Sequence, residues 1–435
     1  MRKHYRRKSY LKPYFEDEIY SFTTDGGRVS FYLKQIPYVF SVNIGVWIPG
    51  GAVCDPKGKE GMAHLIEHLI FKGTETRTDE EILSAVESKG GQINAYTSQE
   101  FTCIQVTILP EHLSETLELI SDILHHSTFA SLDKEKNVVL EEIALLEDTP
   151  EELIDDLFNC FVWGEHPLAN PILGTEESIE KITKADLQRF YKKWYQCGKI
   201  IVVVVGNIDL RNFERIVKDS FLCYGKKNIN PKSIPKPSFR SGVKCHLKDV
   251  AQVHFSLGFP APGIKDNRKY RYVSFVAVSV LGGSSTSKLF YKIREQEGLA
   301  YNIYSDYELF GNVGCVQVCG SVSHSNFSKV LALTIEEIKK LREELLSEDI
   351  LEKYKNEMVG DWLLYQEFAT SHLSRIGFSI FYTGEVLSVE EYLTALENIK
   401  PIDVCEFFQE FCDPDKLALV YMSPKEYEIE EILKF

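Results

Sequence analysis

The amino-acid sequence predicts an α+β protein of two homologous domains, each a mainly antiparallel sheet with helices packed on one face. Three observations lead there. The chain has 435 residues, more than one hydrophobic core ordinarily organises. A stretch at 225–242, GKKNINPKSIPKPSFRSG, breaks the apolar patterning, and prolines without a core pattern read as a semi-rigid linker. The segments on either side repeat one order of strands and helices, the signature of duplication. The predicted boundaries are therefore 1–224 for the first domain, 225–242 for the linker and 243–435 for the second domain.

Taken in order, the first half offers a helix at 80–89 that leads into Gly90-Gly91-Gln92-Ile93-Asn94-Ala95-Tyr96-Thr97. A strand at 101–109 follows, then a long helix from about Pro110, and a strand at 200–205 closes the half. The second half runs the same way: a helix at 286–297, an alternating segment at 298–305, a strand at 313–322, a long helix from about Ser325 and a closing strand at 417–422. Strand pairs followed by long helices make a sheet covered by helices. The most apolar run, Ile200 to Val205, has the length of one buried strand, far short of the ~18 residues of a membrane span. Gly282-Gly283 with Ser284, Ser285 and Ser287 lacks the Lys-Ser/Thr ending of a phosphate loop and reads as a tight turn before a helix.

Composition narrows the function. The net charge is −15, which argues against nucleic acid as a partner, because phosphate binding needs a basic surface. Cationic ligands, basic peptides among them, would be attracted instead. The basic start at 1–8 has no apolar segment behind it, and Glu16, Asp17 and Glu18 follow early. It reads as a solvated tail rather than a secretory or mitochondrial leader. Ten cysteines are scattered without a paired CxxC, the pattern of reduced thiols in a cytoplasmic protein. Cys315 and Cys319 fall within one strand and read as packed thiols.

The chemistry concentrates at 61–72, GMAHLIEHLIFK. Met62, Leu65, Ile66, Leu69 and Ile70 recur at helical spacing and form a buried face. His64 and His68 are four apart, so both imidazoles leave one side of the helix, and Glu67 shares that side. Two such histidines can grip Zn²⁺ while the carboxylate serves as a base, the H-x-x-E-H order of inverzincins. Catalytic zinc keeps three protein ligands, so one more must come from elsewhere. The segment 132–148, LDKEKNVVLEEIALLED, reads as a helix with Glu135 and Glu142 two turns apart on one face. Carboxylates there need a partner, which a metal or a metal-bound histidine would supply. The pairs and singletons His125, His126, His112, His166, His246, His254, His324 and His372 have no ligand partner at useful spacing and read as structural or surface groups.

On residues 61–74 (GMAHLIEHLIFKGT), 90–97 (GGQINAYT), 135–143 and 281–305 the chain resembles the pitrilysin family of zinc metallopeptidases, in its half-length bacterial and processing-peptidase-like branch. The resemblance implies one Zn²⁺ per chain on His64, His68 and a distal glutamate. That glutamate closes the Val-Val-Leu-Glu-Glu segment, which points to Glu142, with Glu141 the alternative. It further implies Glu67 as the general base and Glu135 as a second acidic residue needed for activity. Asn94, Ala95 and Tyr96 become a strand edge that pairs with extended peptide. Arg294 and Tyr301, in IREQEGLAY, match an arginine–tyrosine pair that donates hydrogen bonds to substrate carbonyls. The implied activity is endopeptidase cleavage of peptides or unfolded segments inside a closed homodimeric chamber. A catalytically silent scaffold, or a subunit active only with a different partner, is the competing implication.

Overall fold

The computed structural model describes residues 18–24, 27–221, 235–266 and 268–434. The basic start at 1–8 and positions 225–234 of the expected linker lie outside the described residues.

Two sheets organise the chain. The first contains β1 (Tyr20–Thr23), β2 (Val29–Gln35), β3 (Val42–Ile48), β4 (Gln92–Thr97), β5 (Thr102–Ile108) and β6 (Ile200–Gly206). The second contains β7 (Gly242–Leu247), β8 (Val253–Ala261), β9 (Ala300–Leu309), β10 (Gly314–Val322) and β11 (Ala418–Ser423). Their spatial orders are β1-β2-β6-β3-β5-β4 and β7-β11-β8-β10-β9. Apart from β1, strand for strand the two orders are the same. Each sheet is antiparallel except for one parallel pair, β2 with β6 and β7 with β11, at equivalent places. The repeat in the sequence is thus a repeat of topology.

One face of each sheet is covered by helices of its own half. In the first, Leu65, Ile66 and Leu69 pack with Leu117, Ile120 and Leu187 over Val202 and Val204. In the second, Val276, Leu281, Val330 and Ile338 pack over Phe255, Leu257 and Val318. The opposite faces are covered by an exchange between halves that no local pattern signals. The helix Ala369–Thr383 lays Leu373, Ile376 and Ile380 against Trp47, Cys103, Val203 and Val205 of the first sheet. The helix Pro150–Trp163 lays Ile154, Phe158 and Val162 against Cys315, Ala418, Val420 and Met422 of the second. Burial on both faces explains why the central strand β6 is apolar at every position from Ile200 to Val205 rather than alternating. Packing is tight at Gly377, where a Cβ would lie 2.2 Å from the Trp47 ring.

One expected element differs. The segment at 286–297 is a π-helix over Phe290–Gln296 rather than an α-helix. Its wider turn appears in Glu297 N–H donating to the Lys292 carbonyl and Leu299 N–H to that of Ile293. Over two turns, apolar spacing cannot distinguish the two periods.

Candidate metal centre

The motif helix spans Met62–Leu69 and starts at Gly61, whose φ of 86° is left-handed. A Cβ at Gly61 would also meet the Leu173 carbonyl oxygen at 2.4 Å, so glycine is required on both counts. The exposed amides of the first turn are satisfied by Asp55. Its Oδ2 accepts from Gly61 N–H and Met62 N–H at 2.8 and 3.1 Å, and its Oδ1 from Ala63 N–H at 2.9 Å. Burial pushes the Asp55 carboxyl up to about 8, against the pull of these three bonds. Sequence reasoning missed Asp55, since it stands six residues before Gly61 and outside any capping position.

Met62, Ala63, Leu65, Ile66 and Leu69 bury the far side of the helix. His64 and His68 are left facing the helix Leu132–Glu147. There Glu142 Oε2 lies 3.6 Å from His64 Nε2 and 3.5 Å from His68 Nε2. The three ligand atoms all fall within 4.8 Å of one another, the sole such group of three among the described residues. Glu141 is exposed; of the adjacent pair, Glu142 alone reaches the histidines. The other expected carboxylate, Glu135, is 2% exposed. Its Oε2 lies 3.4 Å from His68 Nδ1, and Lys72 Nζ lies 3.2 Å from its Oε1. Burial, helped by the charge of His68, lowers the His64 imidazole to about 4 and keeps it neutral, as a metal ligand must be. Glu67 Oε2 accepts a 2.6 Å bond from Thr97 Oγ1, and burial raises its carboxyl above the usual range.

These distances fit a metal. Ligands about 2.0–2.1 Å from a tetrahedral Zn²⁺ stand about 3.3–3.4 Å apart. The two histidine–Glu142 separations come within a few tenths of an ångström of that edge. Two imidazole nitrogens and one carboxylate are also the donor set that zinc favours.

The expected strand edge lies beside the cluster. Among the described residues β4 is the outermost strand of the first sheet and pairs only with β5. Thr97, which holds Glu67, is its last residue. Asn94 is exposed, Ala95 is buried in the core and Tyr96 stands 6.0 Å from Phe101 on the other face. Arg294 and Tyr301 are brought together, with the guanidinium 4.6 Å from the Phe290 ring and 5.2 Å from the Tyr301 ring. Tyr301 is 79% exposed. Among the described residues neither touches His64, Glu67, His68 or Glu142. Three of the other histidines make structural contacts: His125 accepts from Arg28, His126 pairs with Asp122 and His112 with Glu115.

The chain is similar to known proteins along most of its length. Residues 31–176 match the family described as insulinase (peptidase family M16), and 181–358 match its companion, the peptidase M16 inactive domain. A Bacillus subtilis protein named uncharacterized zinc protease YmxG is 33% identical over 375 residues, covering 85% of this chain and 90% of its own. A Mycobacterium tuberculosis protein, also named an uncharacterized zinc protease, is 30% identical over 383 residues, covering 87% of each. Among solved structures, a protease from Helicobacter pylori superposes with a TM-score of 0.84 at 20% identity, covering 94% of this chain and 100% of its own. A peptidase M16 inactive domain from Pseudomonas fluorescens does so at 0.86 and 19%, covering 94% and 99%. Among the described residues no helix is long and apolar enough to cross a membrane. Sequence identity along most of both chains and a shared two-sheet architecture establish that this chain belongs to peptidase family M16, the pitrilysin family.

Proposed function

We propose that the protein is a zinc-dependent endopeptidase that hydrolyses peptides or unfolded polypeptide segments. One observation carries the reading: His64, His68 and Glu142 offer three ligand atoms within 4.8 Å of one another, with Glu67 beside them on the same helix face. A zinc ion held there would polarise the scissile carbonyl and acidify water, the chemistry that makes amide hydrolysis accessible at neutral pH. Glu67 takes the proton from the attacking water and delivers it to the leaving amine, a role suited to a carboxyl whose pKa is raised by burial. Thr97 Oγ1 fixes the Glu67 carboxylate, and Glu135 holds the His68 ring through Nδ1. The free edge of β4 lies where an extended peptide can add as a further strand, with Asn94, Ala95 and Tyr96 along it.

Arg294 and Tyr301 donate hydrogen bonds to substrate carbonyls and to the developing oxyanion. Because neither touches the metal cluster, the reading assigns them to the site of a partner chain. Residues 1–224 then form the zinc-binding half and 243–435 the half that lends Arg294 and Tyr301 across a twofold axis, joined through 225–242. Two chains enclose a chamber, which admits peptides and unfolded segments and excludes folded proteins.

The direct test is cleavage of a quenched peptide by the purified protein, with and without chelator. Activity should vanish with chelator and return with Zn²⁺. Glu67→Gln should keep its metal but lose roughly two or more decades of rate. Near-normal turnover by Glu67→Gln would remove the assigned base, and chelator-resistant cleavage would remove the metal.

A further inference from the structure

Lys72 belongs to the motif stretch yet has no part in the reaction as drawn. It follows the motif helix, and its N–H donates to the Leu69 carbonyl at 3.1 Å. Its side chain is about one-third exposed, and its ammonium lies 3.2 Å from Oε1 of the nearly fully buried Glu135. The other oxygen of that carboxylate lies 3.4 Å from His68 Nδ1. Among the described residues no other lysine or arginine pairs with Glu135.

We propose that Lys72 is a charge-balancing residue of the metal centre: it compensates Glu135 in the metal-free protein and thereby sets how tightly the cluster holds Zn²⁺. The inference rests on the reading of His64, His68 and Glu142 as a zinc site. A buried carboxylate without a cation is strongly destabilising. Before metal arrives, Lys72 is the fixed positive charge that makes Glu135 tolerable and keeps the His68 ring supported. Once a divalent ion sits beyond His68, Glu135 has a second cation nearby, and that ion and the ammonium repel each other. Lys72 therefore stabilises the metal-free protein more than the loaded one. By linkage, the difference is subtracted from zinc affinity. Lys72 touches neither metal nor substrate and acts through Glu135, so it is a positioning residue. The result is a site that is already formed without metal and holds metal less tightly than its ligands alone would allow.

The test is a double-mutant cycle on the full chain with Lys72→Met and Glu135→Gln, read by zinc affinity in competition with a chromophoric chelator and by thermal unfolding in excess chelator. Lys72→Met should lower the melting temperature of the metal-free protein and tighten zinc binding by about tenfold, equivalent to about 1.4 kcal/mol. A lysine that only packs would lower stability and affinity together. Lys72→Arg should resemble wild type in both measurements. Comparing Glu135→Gln with Glu135→Gln/Lys72→Met keeps the test open even if Lys72→Met alone folds poorly, since the double variant leaves no uncompensated charge; the tightening there should be clearly smaller than in the wild-type background, because only the direct repulsion between the ion and the ammonium remains. Unchanged or weaker zinc binding by Lys72→Met, or the same shift in the Glu135→Gln background, would overturn the proposal. Retention of zinc by His64→Ala would instead overturn the site on which it rests.

Discussion

Glu142→Gln separates two adjacent carboxylates by their geometry. The wild-type oxygen stands 3.6 and 3.5 Å from the two imidazole nitrogens, so among the described residues it is the one group that completes a triangle of ligands. A site of this kind holds Zn²⁺ with roughly 12 kcal/mol, toward the low end for structural zinc. One ligand in three accounts for about 4 kcal/mol of that, or nearly three decades of affinity. Glutamine keeps the shape but offers a neutral, weak oxygen. Glu142 is 38% exposed, so water can partly replace it, and a loss of about two to three decades is expected. Competition with a fluorescent chelator at fixed pH measures it directly. Glu141→Gln, on the exposed side of the same helix turn, should stay within about twofold of wild type. Zinc retention within tenfold by Glu142→Gln, or an equal loss in Glu141→Gln, would refute the assignment of the third ligand.

Three further outcomes follow from other parts of the molecule. Mixing inactive Glu67→Gln chains with inactive Arg294→Ala chains should restore peptide cleavage, because a mixed dimer contains one intact composite site; a mixture that stays inactive while subunits exchange would leave each chain working alone. Gly377→Ala drives a Cβ to 2.2 Å from the Trp47 ring, costing about 1–3 kcal/mol of overpacking against about 1 kcal/mol of helix propensity gained; a net fall in melting temperature is expected, and a rise would show that the exchanged helix can shift freely. His125 is buried against Arg28, and burial lowers its imidazole from 6.5 to about 4. The unfolded chain takes up that proton first, so stability present above about pH 6.5 is lost as pH falls toward 4, by at most about 3 kcal/mol. Burial raises Asp155, Asp156 and Glu308, which act in the opposite sense, so the comparison is with His125→Gln. That variant should lose less stability than wild type on acidification in denaturant titrations, and parallel profiles would contradict the reading.

What the sequence determined by itself was whatever depends on local periodicity. His64, Glu67 and His68 were legible because positions three and four apart on a helix share a face regardless of what surrounds it. The duplication was legible because strand and helix order survives when residue identities diverge. Glu135 and Glu142 were legible as one face of a helix, two turns apart. Tertiary structure alone decided the rest. Glu141 and Glu142 point about 100° apart on one helix, so only the rotation of Leu132–Glu147 against the motif helix selects Glu142. The role of β4 as the last strand follows from the sheet order, which no strand encodes locally. Asp55, Thr97 and Lys72 join the site through contacts that side-chain chemistry permits but spacing does not announce. The apolar faces of Pro150–Trp163 and Ala369–Thr383 demand burial, yet hydrophobicity has no direction and cannot name the sheet that supplies it. Their exchange between halves is settled by shape, where a ring as large as Trp47 needs the bare backbone of Gly377.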